Sequence, residues 1–277
     1  MASKEENIKI FNHTQELIRK DKTLQDSIKY SIENSDFLAD NMTIDIFCEK
    51  KTPGIIKVTK SSSFDAARKY TGKVAVLNFA SATNPGGGVT KGSNAQEECL
   101  CRCSTLYNVL SDPKFDEIFY KPHKEHGNAL HNNDAIYTPN IQIIKSDNYN
   151  LLYRPFSVNV ITCAAPNLRE TPANAYNHER GEKPNVTDEE LFDIHFRRAV
   201  HILDLAAYHG DETIILGAFG CGAFKNPPEI VAKAYKKALE IGKIFFKNIE
   251  FAVYCGKDDT NYKVFKEILE WGICTWI

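Results

Sequence analysis

The chain has 277 residues, 43% of them apolar and 25% charged, with a formal net charge of −2. That length suits one large α/β domain, or one domain with an extension, and the composition allows a buried core without cross-links. Intermixed charge without a basic tail excludes a binder that grips duplex nucleic acid through its phosphates, and no apolar run approaches the ~18 residues that span a membrane.

Residues 3–35 carry Ile8, Phe11, Leu17, Ile18, Leu24 and Ile28 at helical spacing and predict helix. Residues 36–53 are mixed, and 55–59 predict a short strand. Ser63 is placed to cap a helix reaching residue 70. Residues 73–80 (KVAVLNFA) predict a buried strand, after which a glycine-rich loop, NPGGGVTKGSNAQEE, fills 84–98. Helix is expected from 95 to 110, loop over 122–133, and strand over 135–139, ending at Pro139. Residues 141–144 could pair with that strand or with a neighbour. Residues 157–164 (SVNVITCA) predict another buried strand, and a long loop over 165–186 carries Asn167, Arg169 and Arg180. Thr187 and Glu190 have capping-box spacing and open a helix to residue 207. A strand over 212–216 leads into a second glycine-bearing loop at 217–225. Asn226, Pro227 and Pro228 mark a helix start, with Asn226 as cap, running to residue 242. A strand over 249–254 and a helix over 261–271 follow. Strands alternating with helices imply a three-layer α/β/α domain.

The chemistry concentrates in the two loops. Both leave strand ends, the edge at which open α/β sheets bind ligands. In the first, Gly86, Gly87 and Gly88 precede Gln96, Glu97 and Glu98 at the start of a helix. Glycines let backbone lie against a ligand, and a helix start offers free N–H groups to an anion. The second loop, GAFGCGAF over 217–224, alternates small residues and can turn several N–H groups inward as an anion nest. Lys91 precedes Gly92, so GxxxxGK[ST] is absent, and Lys225 stands where GxGxxG needs its third glycine. A P-loop NTPase and a Rossmann dehydrogenase are therefore not expected. Asn94 with Glu97, or Ser93 with Gln96, could form a capping box. Adjacent helical residues point about 100° apart, so a division of labour is expected: one glutamate orients, the other transfers a proton.

Eight cysteines (Cys48, Cys99, Cys101, Cys103, Cys163, Cys221, Cys255 and Cys274) lie in a chain with no leader-like start, so reduced thiols are expected. Cys99 and Cys103 share a helix face that Cys101 does not, and no histidine pattern completes a zinc site. Buried structural thiols and no metal are the expectation. Phe224, at the end of the second loop, suits either the core or a stack on a ribose or base.

Gly86-Gly87-Gly88 followed by Gln96-Glu97-Glu98 resembles the signature of poly(ADP-ribose) glycohydrolases (PARG), and residues 217–224 resemble the diphosphate loop of macrodomains. The segments at 137–139 and 163–166 look like the shorter microbial type, and the resemblance runs from about residue 45 onward. It implies a macrodomain-like mixed sheet between helices, with residues 1–44 as an N-terminal helical extension and 45–277 as the catalytic domain. By resemblance Glu98 is the general acid/base and Glu97 orients the ribose hydroxyls. Asn84 would contact the terminal ribose, and Gly86, Gly87 and Gly88 would line it. Gln96 falls among the substrate-binding residues. Gly220, Cys221, Gly222 and Ala223 would cradle the diphosphate, Phe224 would pack on the ribose, and Tyr137 and Pro139 fall near the adenine contacts. The reaction so implied is hydrolysis of ribose–ribose O-glycosidic bonds, with burial and crowding against Glu97 raising the pKa of Glu98. No cofactor or metal is implied. The partners would be poly(ADP-ribose) or ADP-ribosylated macromolecules and the product ADP-ribose, with no membrane, no sequence-specific nucleic acid, and a cytoplasmic location. A non-catalytic ADP-ribose reader and a mono-ADP-ribosyl hydrolase are the alternatives. The paired glutamates favour an enzyme over a reader.

Overall fold

A computed structural model describes residues 2–44, 54–172, 183–241 and 246–270. Cys48, Arg180, Cys274, the expected boundary at residue 45 and the expected helix ends at 242 and 271 lie outside the described residues.

The predicted N-terminal helix is two helices, α1 (Lys4–Lys20) and α2 (Lys22–Glu33). Asp21 divides them: its backbone is extended (φ −107°, ψ 108°), and its side chain caps α2 by accepting from the N–H groups of Thr23 and Leu24. Strand β1 (Asp36–Leu38), β2 (Ile55–Thr59), α3 (Ser63–Ala67) and β3 (Val74–Ala80) follow. The cap of α3 is Ser62, one residue before the expected Ser63. The helix expected from 95 to 110 is broken into α4 (Gln96–Cys103) and α5 (Leu106–Leu110). Ser104 leaves the helix to bridge Ile143, and Thr105 N–H donates to Gln142 O at 3.1 Å. This tertiary pairing has no local signal.

Part of the loop expected at 122–133 is helical. A short helix α6 (Pro113–Phe115) passes through a π turn (Asp116–Tyr120) into α7 (Lys121–His126), which carries Pro122 near its start. Strand β4 (Ala135–Lys145) joins both short predicted strands across a register shift between Thr138 and Ile141. It pairs along β5 (Leu151–Ala164), which begins earlier than expected. The remaining elements are α8 (Asp188–Tyr208), β6 (Thr213–Leu216), α9 (Pro228–Glu240), β7 (Asn248–Ala252) and α10 (Thr260–Glu270). Thr187 and Glu190 close the expected capping box at α8.

The strands form one mixed sheet in the order β1-β4-β5-β3-β6-β7-β2, in which β4 runs antiparallel to both of its neighbours. Two cores sandwich it. One is built from alternate residues such as Ala75, Leu77 and Ile161 against α8, α9 and α10; the other from Val74, Val76 and Val160 against α1, α3, α4 and α5. This is the three-layer macrodomain-like architecture. The stretch 1–44, expected as a helical extension, supplies the edge strand β1 and packs Phe11 into the second core. Because β3, β5, β6, β7 and β2 are parallel, their C-terminal ends share one edge, from which both glycine loops leave.

Candidate active site

β3 is buried along nearly its whole length and therefore rigid, and its last residues aim the first loop. The chain turns at once: Ser81 Oγ accepts from Thr83 and Asn84 N–H, and Gly87 N–H donates to Asn84 O at 2.9 Å. Gly86 and Gly87 have φ of +67° and +56°. A Cβ on Gly87 would lie 2.7 Å from Glu98 Oε1 and 3.1 Å from Glu97 Oε2. Only glycine gives both the left-handed backbone and this approach. The two carboxylates therefore converge beneath one glycine.

They are held differently. Glu97 is 2% exposed; Asn78 Nδ2 donates to its Oε1 at 3.2 Å and Ser81 N–H to its Oε2 at 2.7 Å. Burial first, then the neighbouring Glu98 charge, raises its pKa to about 8, against the hydrogen bonds that favour the anion. Glu98 is 7% exposed; it accepts from Gly88 N–H and from Ala95 N–H, both at 2.9 Å. The second of these bonds ties α4 back onto its own N-cap. The reciprocal glutamate at this helix start is thus Glu98 paired with Ala95, in place of Glu97 with Asn94. Asn94 instead accepts from Arg102 Nη2 at 2.5 Å. Glu97 therefore keeps its proton near neutral pH.

Gln96 does not face the cleft. Its Nε2 donates to Leu77 O (2.7 Å) and Ser63 Oγ (3.0 Å), and its Oε1 accepts from Phe79 N–H (2.9 Å). Its amide is spent on the β3 backbone, so it positions the helix that carries the glutamates. Tyr137 is also misplaced by the expectation. It stacks on His209 at 3.7 Å, beside Lys73 and Asn159 at the opposite edge of the sheet. A strand side chain two or three residues from the ligand edge belongs to the core, and periodicity does not tell the two edges apart. Asn84 is half-buried at the start of the loop, its amide donating to Thr83 Oγ1.

The second loop is built as an open cradle. Among the described residues, the N–H groups of Gly220, Gly222, Ala223 and Phe224 have no protein acceptor. Gly222 and Ala223 are exposed, Cys221 and Phe224 are partly buried, and a Cβ on Gly222 would meet nothing within 4 Å. Asn226 holds the cradle's back. It does not cap α9, whose N-cap is Pro227. Its Nδ2 donates to Pro166 O (2.7 Å) and Gly220 O (3.1 Å), and its Oδ1 accepts from His195 Nε2 (2.8 Å). His195 is buried and its pKa falls to about 4, so it is a neutral donor. Arg198, also buried, donates to Ala164 O, Leu130 O and Asn133 Oδ1 and ties the end of β5 to the loop before β4. Sequence reading missed Asn78, His195, Arg198 and the true role of Asn226. A polar residue inside an apolar strand or helix face was the available signal for the first three.

The thiols serve the scaffold. Cys103 Sγ meets Ser146 O at 3.4 Å, Cys99 lies beside Arg102 and Tyr149, and Cys101 is fully buried. Among the described residues no group of three or more His, Cys, Asp or Glu side chains could hold a metal.

The chain matches the family described as microbial-type PARG, catalytic domain, over residues 4–146. Among solved structures it is similar to poly(ADP-ribose) glycohydrolase from Thermomonospora curvata, at 27% identity over 95% of this chain and 98% of that one, with a TM-score of 0.79. The same protein bound to the inhibitor ADP-HPD matches at 27% identity over 94% and 98%, TM-score 0.77. Poly(ADP-ribose) glycohydrolase from Deinococcus radiodurans in complex with ADP-ribose matches at 30% identity over 88% and 97%, TM-score 0.72. No curated protein matches this sequence.

Proposed function

The chain belongs to the microbial-type poly(ADP-ribose) glycohydrolase family, and on that premise we propose that it cleaves the ribose–ribose O-glycosidic bond of poly(ADP-ribose) with Glu98 as proton-transfer group and Glu97 as the group that orients the ribose. The observation that carries this reading is the pair of buried carboxylates meeting beneath Gly87. A protein that only bound ADP-ribose would have no use for two buried acids at close range.

The cradle at Gly220, Cys221, Gly222 and Ala223 takes the diphosphate on the free N–H groups of Gly220, Gly222 and Ala223, while Cys221 N–H stays on Ala218 O. The terminal ribose then lies between Phe224 and the first loop, where Asn84 and Gly86, Gly87 and Gly88 line it. The adenosine half extends the other way, over the ends of β7 and β2. There Tyr254 follows β7 with 76% of its surface exposed, and Val253 N–H ties the strand to Thr59 O at 2.9 Å. Its free ring face suits adenine. Tyr254 takes the place that the sequence reading offered to Tyr137.

Glu97 holds a proton in the free protein, and the two carboxyl groups meet beneath Gly87. Substrate phosphates and exclusion of water favour a protonated carboxyl over a carboxylate in the complex. Glu98 protonates the leaving 2′-oxygen of the adjoining adenosine as the anomeric C–O bond breaks and positive charge develops on the ribose. The resulting carboxylate takes a proton from the water that attacks the anomeric carbon, releasing ADP-ribose. The six described cysteines are free thiols, which supports a reducing, cytoplasmic setting.

The test is a pair of isosteric variants. Glu98→Gln should lower turnover of poly(ADP-ribose) by about 10³-fold, the scale of general acid–base catalysis, while calorimetry still detects ADP-ribose binding. If Glu97→Gln abolishes turnover and Glu98→Gln leaves most of it, the two roles are reversed.

A further inference from the structure

Cleaving a polymer requires a place for the part that leaves as well as for the unit that is released. Resting on the orientation proposed above, the diphosphate lies at the end of β6 and the adenosine half over β7 and β2, so the anomeric carbon points toward the flank formed by β3 and β5. The departing chain therefore crosses the strand ends on the β5 side. That flank is occupied by the segment following β5, and it packs directly on the cradle: Leu168 N–H donates to Phe224 O at 2.9 Å, and a Cβ on Gly220 would lie 2.7 Å from Ala165 Cβ.

One charged side chain stands out on this segment. The Arg169 guanidinium carbon lies 5.6 Å from the centroid of the Phe224 ring, within cation–π range. Its Nε donates to Asn167 Oδ1 at 3.0 Å and its Nη2 to Pro172 O at 2.5 Å. Asn167 is fully buried and receives the Arg169 N–H as well, so the side chain is fixed at its root. Among the described residues every acceptor of Arg169 is a neutral carbonyl oxygen. Its charge is therefore held in place without being cancelled, the condition for recruiting an external anion. Arg169 lines a groove of about 540 Å³ together with Leu168, Glu170, Lys183, Asp188 and Lys225. Lys183 and Glu170 pair with each other at 2.7 Å. Asp188 sits in the first turn of α8. Lys225 is exposed and held at φ +62° directly after Phe224.

We propose that Arg169, seconded by Lys225, binds the pyrophosphate of the ADP-ribose unit that leaves, forming a subsite for the polymer remainder next to the site of bond cleavage. Its fork of N–H donors matches phosphate oxygens, and its seat over Phe224 keeps it at the rim of the terminal ribose. The subsite makes the protein prefer a chain over an ADP-ribose glycoside with an uncharged leaving group.

The experiment compares two substrates that share the cleaved bond type. One is long-chain poly(ADP-ribose); the other is an α-linked ADP-ribose glycoside of a neutral phenol, which has no second pyrophosphate. In Arg169→Ala the ratio of kcat/KM for polymer to kcat/KM for the aryl glycoside should fall about tenfold, as for loss of one charge-assisted phosphate contact. Arg169→Lys should restore part of that ratio, and the salt dependence of polymer cleavage should flatten in Arg169→Ala. An unchanged ratio overturns the subsite, whether both activities stay high or both fall together. Tyr254→Ala, measured beside it for ADP-ribose affinity, separates this result from failure of the proposed orientation. Unaltered affinity there overturns the orientation, whereas an unaltered substrate ratio in Arg169→Ala overturns the subsite alone.

Discussion

A carboxyl buried at 2% exposure with a pKa of about 8 has consequences for stability as well as chemistry. Unfolded, Glu97 titrates near 4.5; folded, it keeps its proton to about pH 8. Across that window the native state binds the extra proton, so stability falls by about 1.4 kcal/mol per pH unit as pH rises, and the loss is complete above the folded pKa. Glu97→Gln mimics the protonated side chain and removes that slope. Its melting temperature should exceed that of the parent at pH 8.5 and match it near pH 5; equal pH profiles for the two proteins would contradict a protonated Glu97. The same group should place a basic limb with an apparent pKa near 8 on kcat/KM in the unmodified protein. Asn78 is the partner to watch, because its Oδ1 is buried without an acceptor role in the present arrangement. A half-turn of the amide lets that oxygen accept the Glu97 proton. The signature Gln96-Glu97-Glu98 was legible in the sequence, but the use of each member was not. Gln96 is bound to the backbone of β3, and nothing in the local sequence says that the strand lies within reach.

At the scale of elements, the glycine loops divide into positions that need glycine for different reasons. Gly87 combines φ +56° with a carboxylate beneath it, so Gly87→Ala should cost about 1–3 kcal/mol from backbone strain and displace Glu98, lowering polymer turnover far more than ADP-ribose affinity. Gly222 faces open space, and Gly222→Ala should leave stability within about 0.5 kcal/mol while weakening ADP-ribose binding if the diphosphate lies against it. Thermal melts and calorimetry on the two variants distinguish these costs. A Gly87→Ala protein with full turnover would remove the reason given for that glycine. Helix and strand types were legible wherever periodicity was strong, as along β3, α8 and α9. The breaks were not. Ser104 leaves its helix to pair with Ile143, and Asn226 gives up its cap to join Pro166, Gly220 and His195, because tertiary partners outcompeted local ones.

The molecule as a whole reads as one unit whose N-terminal helices buttress the catalytic loop. Asn7 Nδ2 donates to Gly92 O at 3.1 Å, and Thr14 Oγ1 donates to Arg102 O at 2.6 Å. Arg102 in turn donates to Ser93 O, so α1, the far end of the first loop and α4 are joined through a chain of buried polar contacts. Lys145 on β4 reaches Ile10 O at 3.0 Å, and Phe11 stacks edge-on against Tyr107 at 4.9 Å. Tyr107 is also the ring that a Cβ on Gly86 would strike, at 2.8 Å. Sequence periodicity revealed the helices without their docking, since the contacts span more than 80 residues of chain. Removing residues 1–35 would therefore take Phe11 out of the second core and bare Tyr107, strand Lys145 without its acceptor, and free the loop that positions Glu98. Phe11→Ala alone should cost about 3–5 kcal/mol, as for other large core deletions. The truncated chain should lose cooperative unfolding and polymer turnover together. Asn7→Ala, which spares the core, should keep the fold but lower kcat through a looser first loop, with hydrogen exchange rising first at residues 88–93. If the truncated chain melts within about 2 °C of the parent, a shift of only about 1 kcal/mol for a chain of this size, the helices are an appended arm and the buttress is wrong.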